Sequence, residues 1–181
     1  LTIILKRNDP TSAAKQVSLT ELGSIKINKE ERTKMYKTIP RSSVIGFLIG
    51  VLPGAGATIA SFLAYGMERN VVSDEEKEKF GKGSVNGLSA PETANNAACS
   101  GSFVPMLTLG IPGSGTTAVM LGALLGFGVQ PGPRLYMTNP EIFWSIIMSM
   151  YIGMVILLIL NLPLIPYIAR ILAVPKNYLI P

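Results

Sequence analysis

The sequence predicts an all-α integral membrane protein whose helices are interrupted by short Pro-Gly segments. Three observations lead to this fold class. Of the 181 residues, 48% are hydrophobic and only 15% are charged, whereas soluble domains carry about 25% charged residues. The mean hydropathy is +0.40. The charged residues are also unevenly distributed, so that long stretches carry none, and one Pro-Gly phrase occurs twice inside such stretches.

Residues 1–43 form a basic, polar arm, with nine Lys or Arg against four acids and a net charge of +5, while the remainder of the chain is neutral in sum. The basic residues are scattered among acids, and the arm ends directly at an apolar segment. Lys and Arg beside a membrane span stay on the cytoplasmic side, so we expect a cytoplasmic arm beside a lipid bilayer and no nucleic-acid partner. A short helix is predicted around 28–38.

The membrane domain is predicted to begin at residue 44 and to continue to 181. Its first stretch, 44–66, has 23 residues without a charge, long enough to cross a hydrocarbon core of about 30 Å. Pro53, Gly54 and Gly56 interrupt it near the middle. Two topologies are open: a single crossing that places 67–82 outside, or a re-entrant hairpin turning at 53–57. The four Lys and Arg in 67–82 favour the hairpin, whose arms would each have about ten residues.

Residues 142–162 predict a transmembrane helix, because these 21 residues contain neither charge nor proline. Trp144 lies where an interfacial aromatic side chain is expected. Pro163 and Pro166 are expected to bend or end the helix.

The composition argues against an enzyme. The chain has no histidine and one cysteine, which excludes Ser-His and Cys-His nucleophiles, an internal disulfide and a Cys-rich metal site. No G-x-S-x-G motif occurs, and neither Pro-Gly phrase contains the lysine of a phosphate-binding loop. We therefore expect no cofactor. Cys99 is predicted to be a small, buried, apolar residue.

The repeated phrase is "PGAGATIA" at 53–60 and "PGSGTTAV" at 112–119, which align without gaps at a distance of 59 residues. Broken backbone survives at membrane depth only inside protein or beside a water-filled cavity, and paired helix breaks in repeated units point to a transporter's binding site. Unwound carbonyls bind cations such as sodium, and helix N-termini bind anions. The predicted ligand-lining residues are Pro53, Gly54, Gly56 and Thr58 in the first phrase, and Pro112, Gly113, Ser114, Gly115, Thr116 and Thr117 in the second.

Small residues have an alternative role, which is close helix packing. The pairs Gly46/Gly50 and Gly122/Gly126 fit that role at least as well as ligand binding.

A second candidate site lies in "SAPETANN", 89–96. On a helix, Glu92, Asn95 and Asn96 share one face, and a carboxylate with two amides can bind a cation or line a polar cavity. The alternative is structural, because Ser89 and Glu92 fit an S-x-x-E capping box with Pro91 in the first turn.

These same segments carry a family resemblance. "GVLPGAGATIASFLAYGMER", "FGKGSVNGLSAPETANNAACSGSFVPMLTLGIPGSGTTAVMLGALL" and "GVQPGPRLY" resemble the C-terminal half of the large permease subunit of tripartite tricarboxylate transporters. The resemblance covers 40–181 densely. It implies half of a repeat-based transporter fold, because family members are about twice this length or more and have a related N-terminal half. We therefore expect this chain to be a fragment that retains half of a site.

The resemblance also implies a function. It indicates a multi-pass protein of the bacterial inner membrane that imports tricarboxylates or related carboxylates by ion symport, with sodium as the expected coupling ion. The implied partners are a small membrane subunit and a periplasmic solute-binding protein that delivers the carboxylate. The alternative is a truncated membrane subunit that does not transport and serves only in assembly.

Overall fold

The computed structural model describes residues 27–172 of the chain. These residues divide into a unit at 27–147 and a second unit whose described part is 148–172. The described residues form helices and no strands, which agrees with the predicted all-α class. The helices are α1 (Lys29–Val51), α2 (Gly56–Val71), α3 (Asp74–Lys77), α4 (Val85–Gly101), α5 (Phe103–Leu109), α6 (Gly115–Gly126), α7 (Leu135–Thr138) and α8 (Pro140–Leu172).

Helix α1 starts in the polar arm and ends in the apolar stretch. Asn28 caps it, since its side chain accepts hydrogen bonds from the N–H groups of Glu30 and Glu31, and the Glu31 carboxylate accepts one from the Asn28 N–H. The helix predicted around 28–38 is therefore the first part of a longer one, which continues across residues 43 and 44. Residues 1–26 of the predicted arm and 173–181 of the predicted membrane domain lie outside the described residues.

Helices α1 and α2 form an antiparallel hairpin that turns at 52–55. The Arg41 guanidinium in α1 lies 2.8 Å from the Glu68 carboxylate in α2, so the end of α2 remote from the turn lies beside the middle of α1. The turn falls where the hairpin alternative places it. Its arms of 23 and 16 residues are longer than the expected ten, because α1 begins in the polar arm and α2 runs on to Val71.

Helix α4 packs against both arms of the hairpin. It runs parallel to α1 in constant register, with Asn86 bonded to Thr38 and Ala94 and Ala98 against Gly46 and Gly50. It runs antiparallel to α2. The core between the three helices consists of alanines that are at most 1% exposed: Ala60, Ala64, Ala90, Ala94 and Ala98.

Three glycines set the separation between α1 and α4. A Cβ atom added at Gly46 or Gly50 would lie 2.6 Å from the Cα atom of Ala94 or Ala98, and one added at Gly101 would lie 2.5 Å from the Phe47 carbonyl oxygen. These obstacles are backbone atoms, which cannot rotate away. The predicted packing role of Gly46 and Gly50 is thus confirmed. Nothing lies within 4 Å of a Cβ at Gly122 or Gly126, so the structure gives that pair no packing partner among the described residues.

A buried carboxylate ties the three helices together at their charged end. The Glu68 side chain is 0% exposed and accepts two hydrogen bonds from Arg41, one from the Thr38 hydroxyl at 2.8 Å and one from the Asn86 amide at 3.2 Å. Removing one partner of such a pair leaves an uncompensated charge, which is costly. No local pattern in the sequence marks Glu68 as a buried residue.

A second carboxylate joins the short helix α3 to the same end. Glu76 accepts hydrogen bonds from the Lys34 ammonium at 3.0 Å and from the Ser84 hydroxyl at 3.1 Å, with Lys79 at 3.4 Å. The hydrogen bond from Lys34 holds the pKa of Glu76 below its ordinary value of 4.5, although burial acts in the opposite direction. The polar segment 67–82 therefore folds back onto α1.

A smaller apolar core joins α5, α6, α7 and the first turns of α8. Its buried members are Met106, Leu107, Val129 and Leu135, against which Phe103, Leu124 and Phe143 pack. The Gly132 N–H donates to the Leu107 carbonyl at 3.1 Å. This core fixes the direction in which α6 leaves the second Pro-Gly phrase.

Helix α8 contains the predicted transmembrane segment. Residues Pro140–Ile165 are long and apolar enough to cross a membrane, and none of their most apolar window is buried within the protein. Of the helices described between 27 and 172, this is the one that meets that test. The predicted helix over 142–162 is therefore present and has the length and composition of a membrane span; that it crosses a membrane stays a prediction. Pro163 and Pro166 do not end the helix, which continues to Leu172, as membrane helices tolerate proline.

The glycine contact predicts the effect of a larger side chain. Replacing Gly46 with valine is expected to lower the free energy of unfolding by about 1–3 kcal/mol, because α1 and α4 must separate. Thermal unfolding of the purified protein in detergent measures the change. Gly66→Val is the matched control, since a Cβ there meets open space, and it should change stability by less than about 0.5 kcal/mol. Equal losses in both variants would argue against the close packing.

The Lys34–Glu76 pair predicts a loss of stability in acid. Because the folded pKa of Glu76 is lowered, its contribution is fully present above 4.5 and disappears as the pH falls through the folded value. Glu76→Gln should therefore unfold at a lower temperature than the wild type near neutral pH. The difference in unfolding temperature between Glu76→Gln and the wild type should disappear as the solution is acidified.

The control for this experiment is Glu75→Gln. The Glu75 side chain is 86% exposed and, in the part of the chain that the structure describes, pairs with Lys79 at 3.3 Å, so the substitution should have little effect at any pH. A gap between wild type and Glu76→Gln that stays constant through the acid range would disprove the linkage.

Candidate functional site

The first Pro-Gly phrase forms the turn between α1 and α2. Gly54 and Gly56 have φ values of 83° and 69°, in the left-handed region that only glycine adopts readily. Ala55 occupies the N-cap position of α2 and provides no side-chain hydrogen bond. Within the described residues, the N–H groups at the start of α2 are therefore left without a side-chain acceptor.

The second phrase connects α5 to α6. Helix α5 ends at Gly110, whose φ is 70°, and Ser114 then caps α6. The Ser114 hydroxyl accepts a hydrogen bond from the Thr117 N–H at 3.2 Å, and the Ser114 N–H donates to the Thr117 hydroxyl at 2.8 Å. The start of α6 is therefore closed, in the sense that side chains of the same segment cap its backbone N–H groups, whereas the start of α2 is open because no described side chain caps it. The two phrases thus match in sequence and differ in conformation.

Both phrases line one cavity of about 710 Å³. The turn of the hairpin provides one wall, the second phrase provides another, and the C-terminal end of α4 provides a third. The lining residues are Gly54, Gly56, Ala57, Thr58, Cys99, Ser102, Phe103 and 112–118. No charged side chain belongs to this lining, so the polar groups that it offers are hydroxyls and backbone groups.

Nine of the predicted ligand-lining residues lie at this cavity: Gly54, Gly56, Thr58, Pro112, Gly113, Ser114, Gly115, Thr116 and Thr117. Pro53 does not line it and is exposed at the turn. The structure therefore brings the two phrases together as the repeat predicts. That these residues bind a ligand stays a prediction.

The four predicted hydroxyls are not equivalent. The Ser114 and Thr117 hydroxyls lie 3.0 Å apart and serve the cap of α6, and Thr117 is 1% exposed. Thr58 and Thr116 are exposed at the cavity, and within the described part of the chain their hydroxyls have no hydrogen-bond partner. Thr58 and Thr116 are consequently the side chains that remain free to meet a solute.

The second candidate motif lies on α4, away from the cavity lining. Glu92, Asn95 and Asn96 share one exposed face, as predicted from their spacing. The capping-box alternative is wrong, because α4 begins at Val85, is capped by Ser84 and contains Pro91 in its interior. The nearest link to the cavity is Cys99, whose sulfur lies 3.7 Å from the Asn95 side-chain oxygen.

Sequence reasoning missed five residues at the cavity: Ala57, Cys99, Ser102, Phe103 and Ala118. The prediction that Cys99 is buried is wrong, since the thiol is exposed. Helical spacing held the signal, because Cys99 follows Asn95 by four residues and so lies on the same face. Phe103 and Ser102 carry no comparable signal, because their position depends on where α4 ends.

A cavity of this kind suits a small polar solute. Helix N-termini attract anions through their N–H groups, and the open start of α2 provides such groups beside the Thr58 hydroxyl. The lining combines these donors with apolar carbon from Phe103, Pro112 and Ala118. Such convergence of a few polar groups in a concave, otherwise apolar surface is typical of small-molecule sites.

Helix breaks that meet in one cavity, together with a helix suited to a membrane, are typical of membrane transport proteins. The model of the tripartite tricarboxylate transporter TctA family matches residues 1–181. The chain belongs to that family, which consists of membrane transporter components rather than enzymes.

Two relatives from Agrobacterium vitis support the assignment. The chain is 39% identical over 175 residues to "Uncharacterized 52.8 kDa protein in TAR-I ttuC' 3'region", covering 97% of this chain and 34% of that protein. It is 46% identical over 136 residues to "Uncharacterized protein in TAR-II ttuC' 3'region", covering 75% of this chain and 55% of that protein. The chain thus spans about a third and about half of the lengths of these relatives. No solved structure matches it.

The Ser114 hydroxyl caps α6 and the Thr116 hydroxyl does not, so removing each should affect the stability of the start of α6 differently. Ser114→Ala should destabilise this helix end by about 1 kcal/mol, because a capping acceptor is lost. Amide hydrogen exchange at 115–118, measured in detergent by mass spectrometry, should become faster.

Thr116→Val is the matched control for this change. Its hydroxyl bonds to no described residue, so exchange at 115–118 should stay close to the wild-type rate. If Thr116→Val accelerated exchange as much as Ser114→Ala, the assignment of these hydroxyls to capping and to the cavity would be wrong.

Proposed function

We propose that the chain is part of a membrane permease subunit that imports tricarboxylates or related carboxylates by symport with an ion, and that sodium is this ion. The observation that carries the proposal is the meeting of the two Pro-Gly phrases in one cavity. A repeat that served helix packing alone would give no reason for both breaks to face the same space. Membership of the family supports the same conclusion.

A carboxylate is the group that best suits the open start of α2. The N–H groups of Gly56, Ala57 and Thr58 have no capping side chain, and the helix dipole favours a negative charge there. The hydroxyls of Thr58 and Thr116 add two donors from opposite phrases. Several carboxylates on one solute would use both walls at once.

Backbone carbonyls at the end of α1 would hold the sodium ion. The last carbonyls of a helix lack intrahelical partners, and the Gly50 carbonyl lies close to Gly113 of the second phrase. Sodium is well served by neutral oxygens, and the cavity lining provides no carboxylate. Cation and anion would then neutralise each other inside the protein.

The hairpin of α1 and α2 is proposed to be re-entrant, with its turn at membrane depth and both ends on the cytoplasmic side. The contacts of Arg41 with Glu68 and of Lys34 with Glu76 support this, because they hold basic residues of the first arm against acidic residues at and after the end of the second. Helix α8 would cross the bilayer. Membership of the family supports the proposal that the chain is part of a multi-pass protein of the bacterial inner membrane and forms half of a repeat-based fold.

The proposed partners follow from the tripartite organisation that the family name describes. They are a small membrane subunit and a periplasmic solute-binding protein that delivers the carboxylate. The exposed apolar side chains of α6, such as Val119 at 76% and Leu125 at 52%, give a membrane partner or lipid a surface to cover.

Uptake of radiolabelled citrate by cells that express the protein with both partners tests the function. Thr58→Val keeps the shape of the side chain and removes a donor, so citrate affinity should fall by about ten-fold, since a hydrogen bond to a charged group contributes about 1.5–3 kcal/mol. Uptake should also require sodium in the medium.

Thr108→Val is the matched control. Thr108 is exposed outside the cavity lining, and its hydroxyl bonds to the Val104 carbonyl of its own helix, so uptake should be unchanged. Undiminished uptake by Thr58→Val would refute the proposed site. Absence of citrate uptake in the wild type, with binding of the small subunit intact, would favour the alternative of a subunit that serves only in assembly.

A further inference from the structure

Helix α4 has two faces of opposite character. One packs on the hairpin through Ala90, Ala94 and Ala98, which are at most 1% exposed. The other is polar and begins after the exposed Leu88; its residues are Ser89, Glu92, Asn95, Asn96 and Cys99. The proposed function uses the cavity at the end of this helix and leaves the polar face without a role.

Glu92 is the charged residue of this face, and between residues 27 and 172 it has no charged partner. It is the sole Asp, Glu, Lys or Arg between residues 83 and 133. Among the described residues its carboxylate accepts no hydrogen bond; Asn96 donates to the Glu92 backbone carbonyl instead, at 2.9 Å. A carboxylate at membrane depth is costly unless it faces water, a cation or a polar partner. With α4 at membrane depth, as the proposed function requires, lipid is therefore excluded as the surroundings of this face.

The polar face runs into the cavity without interruption. Asn95 lies beside Cys99, with 3.7 Å between oxygen and sulfur, and Cys99 lines the cavity. Glu92 precedes Cys99 by seven residues, which is about 10 Å along a helix. A solute moving along this face would pass the carboxylate, then the two amides, and then reach the two Pro-Gly phrases.

The sign of the charge decides what can travel there. A carboxylate attracts cations and repels a polycarboxylate, whereas the cavity offers hydroxyl and N–H donors to anions. We propose that the polar face of α4 is one wall of a hydrated path by which the coupling cation, and not the carboxylate, reaches the cavity. This inference rests on the proposed function, and it adds that the cation and the carboxylate reach the cavity by different routes.

The single cysteine of the chain provides the test, because Cys99 lies at the cavity end of the path. In membrane vesicles containing the full transporter, Cys99 is treated with a positively or a negatively charged methanethiosulfonate reagent, from either side. Rates are normalised to those with a small thiol in solution. At low ionic strength a charge about 10 Å away should favour the cationic reagent by about four-fold or more.

Glu92→Gln should bring this ratio close to one, and Glu92→Asp should retain it. Glu75→Gln removes the same charge from an exposed position outside α4 and should leave the ratio unchanged. Asn96→Cys in a Cys99→Ser background moves the thiol closer to Glu92, so the preference for the cationic reagent should increase. This last variant keeps the test decisive if Glu92→Gln does not fold.

The outcomes separate this inference from the proposed function. Protection of Cys99 by citrate, with equal rates for both reagents, would overturn the cation path and leave the carboxylate cavity in place. A preference for the cationic reagent that depends on Glu92, without citrate protection, would support the path and count against the carboxylate site. Lack of reaction with either reagent at both Cys99 and Asn96→Cys would show that the face is covered, and would overturn the path.

Discussion

The contact between the glycines of α1 and the alanines of α4 is the constraint on which the rest of the structure depends. Because Gly46, Gly50 and Gly101 have no side chain, the two helix backbones touch along their length in one register. That register places Asn86 beside Thr38 and Glu68 at the charged end. It also places the end of α4 beside the turn of the hairpin, so that a cavity forms there. One apolar contact therefore determines the positions of two polar sites.

Polar groups are concentrated at the two ends of this contact, and its middle is made of the smallest side chains. Buried charge is expensive unless it is fully paired, and Glu68 meets that condition with hydrogen bonds from Arg41, Thr38 and Asn86. The cavity end differs from the charged end, because no charged side chain belongs to its lining. The charged end keeps the hairpin closed, and the neutral end leaves donors free.

Local patterns in the sequence were sufficient for much of the fold. The charge-free stretch of 142–162 predicted the membrane helix, and helical spacing placed Glu92, Asn95 and Asn96 on one face. The repeat predicted that the two Pro-Gly helix breaks share a role, and the structure brings both of them to one cavity. Long-range contacts were not predictable in this way, since the pairing of Arg41 with Glu68 depends on how tightly the hairpin turns. The same limit explains the error at Cys99, whose exposure depends on which face of α4 the hairpin covers.

The two Pro-Gly phrases have nearly the same residues, yet they do not form equivalent walls. Ala55 and Ser114 occupy the same place in the alignment, with helical backbone at the former and extended backbone at the latter. One helix start is consequently open and the other is closed by its own hydroxyls. A symmetric pair of walls would hold a molecule equally well in two opposite orientations. Under the proposed function, a cavity with one uncapped and one capped helix start would distinguish the two ends of its solute, so two nearly identical sequence segments would impose a single orientation on it.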